Sequence, residues 1–166
     1  DHVGKRFVAV EKLDAQHTAD IYIIAVGTPL DRARRPQLSA LRSAAAAVGR
    51  VLKRGDSVML RSTVPLGTTR GVVVPILEQR SGLRAGEDFF VAFAPERTVE
   101  GQALAELRAL PQVVGGINRA STNAAAASLS KPFPTSARLR KNSRGHSWTN
   151  ASRKIPSVPA YGGTRN

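Results

Sequence analysis

The stretch FAPERTVEG, residues 93–101, places two carboxylates, Glu96 and Glu100, four residues apart and directly after an apolar run. The chain has only 12 acidic residues, so two in one short segment are notable. A carboxylate in a cleft can act as a general base, taking a proton from a substrate hydroxyl or from water. The residues alone leave a structural alternative equally open: one glutamate at the positive end of a helix and one solvated surface charge.

The elements that would position these carboxylates alternate between two periodicities. Short apolar, β-branched runs typical of buried strands occupy residues 19–29, 57–63, 88–96 and 112–117. Helical spacing of apolar residues occupies residues 36–55, 67–82, 101–110 and 120–129. This alternation predicts an α/β fold, a doubly wound parallel sheet with helices on its faces. Pro75 lies inside the second helical stretch, so we expect that helix to bend there or to begin later.

Ligands of open parallel sheets bind beyond the carboxyl ends of the strands. Three of the predicted strands end in VGTPLD, RSTVPLGTT and APERTVEG, which place Thr28, Thr63 and Glu96 at this edge. A threonine after a strand is more often a helix cap or a turn residue, but three polar residues at equivalent ends favour a site. A solvated loop is predicted for Asp31 and the basic residues Arg32, Arg34 and Arg35. As a second role, this cationic loop would contact a phosphate-binding crevice.

Charge is distributed unevenly along the chain. The net charge is +13, but residues 130–166 hold eight of the 25 basic residues and none of the acidic ones. That segment has no sustained periodicity and is rich in serine and proline, so we expect a disordered basic tail after a first domain of residues 1–129. No apolar run approaches the roughly 20 residues that cross a bilayer, so we expect a soluble protein. The chain has no cysteine and its histidines lack metal-ligand spacing, so no metal site is predicted.

The ordered motifs AVGTPLD, LRSTVPLGTT and FAPERTVEGQAL, followed by VVGGI, closely resemble the nucleotide-sugar 6-dehydrogenases, and most of all their UDP-N-acetylmannosamine and UDP-N-acetylglucosamine branch. The resemblance covers about residues 7–129. It implies a partial Rossmann-like domain that lacks its first strands, a cytoplasmic NAD-dependent enzyme, and oxidation of a UDP-sugar C6 alcohol to a carboxylate in surface polysaccharide biosynthesis. The family oxidises the sugar through an aldehyde captured by a cysteine and a thioester that is then hydrolysed.

Roles for individual residues follow from this resemblance. It implies that Thr28, Thr63 and Glu100 lie on the NAD side, and that Glu96 transfers a proton at the reacting sugar carbon, often through water. It also implies that the residues directly after Glu96 line the UDP-sugar, namely Arg97, Thr98 and Val99. A carboxylate at that carbon agrees with the general-base reading of Glu96.

Several family features are absent from this sequence. No GxGxxG phosphate-binding loop and no cysteine occur, and the family's dimerisation helix does not appear although the family is homo-oligomeric. We therefore expect the chain to be a fragment, shifted in frame near residue 130 and catalytically incompetent alone. The competing hypothesis is a basic module that binds nucleic acid or an anionic surface through its tail, but the tail has no recognisable nucleic-acid motif. Neither a nucleic-acid nor a membrane partner is expected.

Overall fold

The computed structural model describes residues 8–97, 101, 106 and 111–129. Their secondary structure follows the predicted alternation of strands and helices, with shorter strands than the apolar runs. In chain order the elements are β1 (Ile21–Ile24), α1 (Ser39–Val51), β2 (Ser57–Leu60), a π-helical turn (Thr69–Val73), α2 (Val74–Ser81), β3 (Phe90–Phe93), β4 (Gly115–Gly116) and α3 (Arg119–Leu129). Apart from Gly101 and Glu106, the helix predicted over residues 101–110 lies outside the described residues, as does the basic tail, so the predicted boundary at 129/130 stays a prediction.

The four described strands form one sheet in the order β1, β2, β3, β4. The first three are parallel, with Ile24 opposite Leu60 and Leu60 opposite Phe93. The fourth strand corrects the prediction of a parallel sheet, because β4 pairs antiparallel with β3 and contains only two residues. Its pairing partners are Ala92 with Gly116 and Phe93 with Gly115.

Helices cover both faces of the sheet. Since side chains alternate along a strand, Val58, Leu60 and Val91 point to one face, where they join the core cluster that includes α1 and α2 residues. Met59 and Ala92 point to the other face and pack against Ala125 of α3. All four residues of β2 are buried, which explains its apolar composition. The described part of the chain is therefore doubly wound, as predicted.

Pro75 is accommodated by a change of helix type. A proline has no N–H and its ring clashes with the carbonyl four residues earlier. The chain passes through the π-helical turn, in which the Val74 N–H bonds the Thr69 carbonyl five residues earlier, and α2 then begins with Pro75 in its first turn. The helix therefore starts later than the apolar pattern indicated. Thr68, which precedes the π-helical turn, makes no side-chain capping bond.

Helices α1 and α2 approach closely at Gly49. A Cβ added to Gly49 would lie 2.7 Å from the Arg80 Cβ and 3.3 Å from the Leu77 carbonyl oxygen. These are a side-chain root and a backbone atom, which cannot move independently of α2. The glycine therefore sets the distance between the two helices.

We expect Gly49→Ala to lower the free energy of unfolding by about 1–2 kcal/mol, because forced separation of the helices outweighs the better helix propensity of alanine. Urea unfolding followed by circular dichroism measures the change. Gly71→Ala is the control, since Gly71 is exposed with no atom within 4 Å of an added Cβ. An equal loss in the control would show that the close approach is not the cause.

Asp56 is a carboxylate with only 6% of its surface exposed, at the turn into β2. Its Oδ2 accepts a hydrogen bond from the Lys53 backbone N–H at 2.7 Å. Burial raises the pKa of Asp56 and the nearby charge of Asp20 adds to the rise, while the bond and charge of Lys53 oppose it. The buried carboxyl is therefore more stable protonated than a free aspartate would be.

Because the folded-state pKa of Asp56 lies above its unfolded value, its contribution to stability is present at low pH and is lost as the pH rises through the folded pKa. Asp56→Asn keeps an acceptor for the Lys53 N–H. We therefore expect the free energy of unfolding of this variant to rise relative to that of the wild type as the pH is raised from about 3 to about 7. Asp14→Asn should show the opposite trend, because a backbone bond from Gln16 and the contact with His17 lower the pKa of Asp14. Urea midpoints at both pH values test the pair, and parallel trends would contradict the assignment.

The start of α3 is bound to β3 and β4 by short polar contacts. Asn118 Oδ1 accepts the Ser121 N–H at 2.8 Å, which caps the helix. The Ser121 hydroxyl is fully buried and accepts the Val91 N–H at 3.3 Å, and the Gly116 N–H bonds the Thr122 hydroxyl at 3.0 Å. This end of the helix therefore lies directly on the sheet.

Candidate active site

The three predicted loops at the carboxyl edge are joined by hydrogen bonds that continue the sheet beyond its strands. The Arg61 N–H bonds the Ile24 carbonyl at 2.8 Å, and the Glu96 N–H bonds the Arg61 carbonyl at 3.2 Å. The buried Ser62 hydroxyl donates to the Val26 carbonyl at 2.7 Å. The loops after β1, β2 and β3 therefore lie side by side, as the ends of parallel strands should.

Thr28 and Thr63, both predicted on the cofactor side, are in direct contact. The Thr28 hydroxyl donates to the Thr63 carbonyl oxygen at 2.5 Å, so its lone pairs stay available as acceptors. Thr63 is exposed, and among the described residues no atom lies within 4 Å of a Cβ built on Gly27. Hydroxyls beside open backbone at this edge fit a dinucleotide with ribose hydroxyls and a carboxamide.

Glu96 is held by contacts on both carboxylate oxygens. Its Oε2 forms an ion pair with the Arg61 guanidinium, and its Oε1 accepts the backbone N–H of Arg97 at 2.8 Å. The Arg61 side chain is 14% exposed and that of Glu96 is 40% exposed, so the acid faces solvent while the cation lies beneath it. The guanidinium also reaches the Gln112 amide oxygen at 3.5 Å. The Glu96 carboxylate is therefore positioned at the sheet edge by one side-chain and one backbone donor.

Of the three residues predicted to line the UDP-sugar, the structure describes only Arg97. Arg97 follows Glu96 directly and its guanidinium donates to the Pro111 carbonyl at 3.3 Å, so it connects the Glu96 loop to the segment before β4. Thr98, Val99 and Glu100 lie outside the described residues.

Sequence reasoning missed Arg61 and Ser62. Both lie in the quoted motif RSTVP, but only Thr63 was singled out there. Arg61 is the first charged residue after the fully buried strand SVML, and a charge at that point was a signal that the side chain needs a partner. Ser62 gave a weaker signal, because a serine after a strand commonly begins a turn.

A cavity of about 450 Å³ lies next to these loops and is not the predicted site. It is lined mainly by apolar residues between the loop after β2 and the β3–β4 pair, including Val64, Leu66, Phe93 and Ile117. Thr28, Thr63 and Glu96 do not line it. Within the described ranges no cluster of three potential metal ligands occurs, and no helix there has the length and hydropathy of a membrane span.

Comparison with known proteins places this arrangement in a family. The model of the NAD binding domain of the UDP-glucose/GDP-mannose dehydrogenase family matches residues 2–134. The chain belongs to this dehydrogenase family. NAD is the cofactor of the matched domain, which confirms the cofactor predicted from the sequence.

Individual relatives agree with the family assignment. The chain is 40% identical over 97 residues to UDP-N-acetyl-D-glucosamine 6-dehydrogenase of Pseudomonas aeruginosa, covering 58% of this chain and 23% of that protein. It is 40% identical over 107 residues to UDP-N-acetyl-D-mannosamine dehydrogenase of Pyrococcus horikoshii, covering 64% and 25%. This dehydrogenase chain therefore spans about a quarter of the length of the relatives that it matches.

Solved structures confirm the predicted fold class. The crystal structure of NDP-N-acetyl-D-galactosaminuronic acid dehydrogenase from Methanosarcina mazei matches with a TM-score of 0.62 and 44% identity, covering 64% of this chain and 23% of that one. A ternary complex of GDP-mannose dehydrogenase from Pseudomonas aeruginosa matches with a TM-score of 0.62 and 29% identity, covering 66% and 26%. The sheet described above is thus part of a dehydrogenase domain.

Proposed function

We propose that this chain supplies the NAD side and the proton-transfer carboxylate of a dehydrogenase that oxidises the C6 alcohol of a UDP-N-acetyl-hexosamine, or of UDP-glucose, to a carboxylate. The observation that carries the proposal is the carboxylate of Glu96, held beside Arg61 at the edge of the sheet where ligands bind. The names of the relatives support the substrate class. Such an activity would serve the biosynthesis of surface polysaccharides from cytoplasmic nucleotide sugars.

Glu96 is assigned the role of general base. Oxidation of an alcohol to an aldehyde removes a hydroxyl proton as well as a hydride, and NAD accepts that hydride when it is bound. The Glu96 carboxylate, which is held in an ion pair with Arg61, is assigned to accept the proton directly or through a water molecule. Oxidation of the aldehyde to the acid adds the oxygen of a water and releases a second hydride, which a second NAD would accept, and the water must again lose a proton to a base. One carboxylate can therefore serve both stages.

The neighbouring residues are assigned to binding. Thr28 and Thr63 offer hydroxyl oxygens to the cofactor at the edge that they share, and Glu100 is assigned to the cofactor side of the same loop. Arg97, Thr98 and Val99 are assigned to the UDP-sugar, because they directly follow Glu96 in sequence. In this arrangement the loop after β3 contacts both NAD and the UDP-sugar, and Glu96 lies between the two ligands.

The test measures nucleotide binding by the full chain, using calorimetry with NAD and with a UDP-N-acetyl-hexosamine. We expect both to bind, and Thr28→Val to weaken NAD by up to about tenfold through the loss of one neutral hydrogen-bonding hydroxyl. Thr18→Val is the control, because Thr18 pairs with Lys53 near the opposite edge of the sheet. Because the chain has no cysteine to capture the aldehyde, we expect the chain alone not to oxidise the UDP-sugar through to the carboxylate. A folded chain that bound neither nucleotide would overturn the proposal, more so if it bound DNA in a salt-dependent way through residues 130–166.

A further inference from the structure

A short cationic segment extends from the carboxyl edge directly after Thr28 and Pro29. It comprises Asp31–Arg35, called here the arginine loop, and is closed at its base by a bridge between Leu30 and Pro36. The Gln37 N–H bonds the Pro29 carbonyl at 2.8 Å and completes the closure. The loop therefore begins three residues after Thr28, at the edge assigned to nucleotide binding.

The backbone of the arginine loop is fixed by its own acid. Asp31 Oδ1 accepts the N–H groups of Ala33 and Arg35, each at 2.8 Å. The Asp31 backbone donates to the Arg35 carbonyl at 2.8 Å, and its carbonyl accepts the Arg34 N–H at 2.9 Å. The hydrogen bonds to its carboxylate lower the pKa of Asp31, the bond from the Arg35 backbone N–H most of all. These four bonds, all involving Asp31, hold the backbone of the five-residue loop.

Arg34 has a backbone conformation that side chains rarely adopt. Its φ is +59°, and it is the only described residue other than glycine with a positive φ. Such a conformation disfavours a branched chain and persists where the surroundings impose it, often at sites that bind ligands. Glycine or asparagine would fit this backbone better, so the presence of an arginine there is a reason to look for a role of its side chain.

The three arginines of the loop are not equivalent. The Arg35 Nε pairs with Asp31 Oδ2 at 2.9 Å. Arg32 and Arg34 are exposed and make no ion pair or side-chain hydrogen bond with any residue that the structure describes. The loop therefore presents two unneutralised guanidinium groups on a rigid turn. Guanidinium forks match the spacing of phosphate oxygens.

We propose that Arg32 and Arg34 bind the diphosphate group of a nucleotide ligand at the carboxyl edge of the sheet. The proposal rests on the proposed function, which supplies two ligands with this group, NAD and the UDP-sugar. The arginine loop begins three residues after Thr28, so a nucleotide bound at the threonine would lie at the strand end from which the loop extends. The loop thereby adds a phosphate contact from side chains to the contacts of the threonines.

The test compares charge-matched double variants of the full chain. Arg32→Gln with Arg34→Gln removes both charges and keeps the positive-φ position occupied by an unbranched side chain. Arg50→Gln with Arg80→Gln removes two charges from exposed positions in the last turns of α1 and α2. Calorimetry with inorganic pyrophosphate, NAD and a UDP-sugar measures all three affinities. We expect the loop variant to lose about tenfold or more for pyrophosphate, and the control to change less than about twofold.

The affinities for NAD and for the UDP-sugar show which of the two ligands supplies the diphosphate that the loop binds. A loss for NAD alone assigns the loop to the cofactor, and a loss for the UDP-sugar alone assigns it to the substrate. Pyrophosphate binding through the loop without binding of either nucleotide supports the arginine site and counts against the proposed function. Wild-type chain that fails to bind pyrophosphate, equal losses in both double variants, or nucleotide binding that depends on Thr28 and not on the loop each overturn the arginine proposal.

Discussion

Gly116→Ala is expected to unfold a large fraction of the chain, with a loss of about 3 kcal/mol or more in the free energy of unfolding. A Cβ on Gly116 would overlap the Thr122 backbone nitrogen and lie 2.7 Å from both the Asn118 carbonyl oxygen and the Ser121 carbonyl carbon. All three contacts are with backbone, so no rotamer change relieves them. Either the start of α3 moves away from the sheet, or β4 separates from β3.

Either movement breaks further contacts at the same place. Displacing α3 withdraws the Ser121 hydroxyl from the buried Val91 N–H and removes Ala125 from its contact with Met59. A buried donor without an acceptor costs about 1–3 kcal/mol by itself. The expected loss is therefore larger than for Gly49→Ala, where the collision involves a side-chain Cβ.

Gly115→Ala is the matched control, since an added Cβ at the neighbouring position meets no atom within 4 Å. We expect it to change stability by less than about 1 kcal/mol. Urea unfolding of both variants, with near-ultraviolet circular dichroism as the second probe, gives the comparison. A Gly116→Ala variant as stable as the control would show that α3 does not lie on β4 as described.

This glycine also shows where sequence reasoning ended. The pattern VVGGI indicated a strand, but the 21 residues between Phe93 and Gly115 are long enough for a parallel crossover, so length did not reveal that β4 is antiparallel. The need for glycine at position 116 arises from α3, which packs on the strand only in the folded protein. Gly49 is a similar case. The need for glycine at this position comes from the packing of α2, so the sequence of α1 alone does not show it.

The candidate site was predictable to the extent that strand ends determine it. Thr28, Thr63 and Glu96 follow parallel strands, so their proximity required only the topology. The Arg61–Glu96 pair required the β2–β3 register as well, which sets Leu60 opposite Phe93 and brings the following residues level. The pairing register depends on how the strands come together in the folded protein, so the sequence motifs alone did not show it. The roles assigned to these residues remain predictions.

The second large effect is expected from Glu96→Gln, which should cost more stability than Arg61→Met. Glutamine keeps the shape and the Oε1 acceptor for the Arg97 N–H, but it leaves the more deeply placed charge of Arg61 without its counterion. We expect a loss of about 1–3 kcal/mol, because a partly buried guanidinium is costly when unpaired. Arg61→Met leaves a carboxylate that is already 40% exposed and can be hydrated, so we expect about 1 kcal/mol or less.

The double variant separates the pair from other contributions. If Arg61 and Glu96 stabilise each other, Arg61→Met should rescue part of the loss caused by Glu96→Gln, with a coupling of about 1 kcal/mol in urea unfolding. A coupling near zero, or a greater cost for Arg61→Met alone, would contradict the asymmetry. The same variants address the proposed function, because Glu96→Gln should leave NAD affinity unchanged while it removes the carboxylate that is proposed as the base.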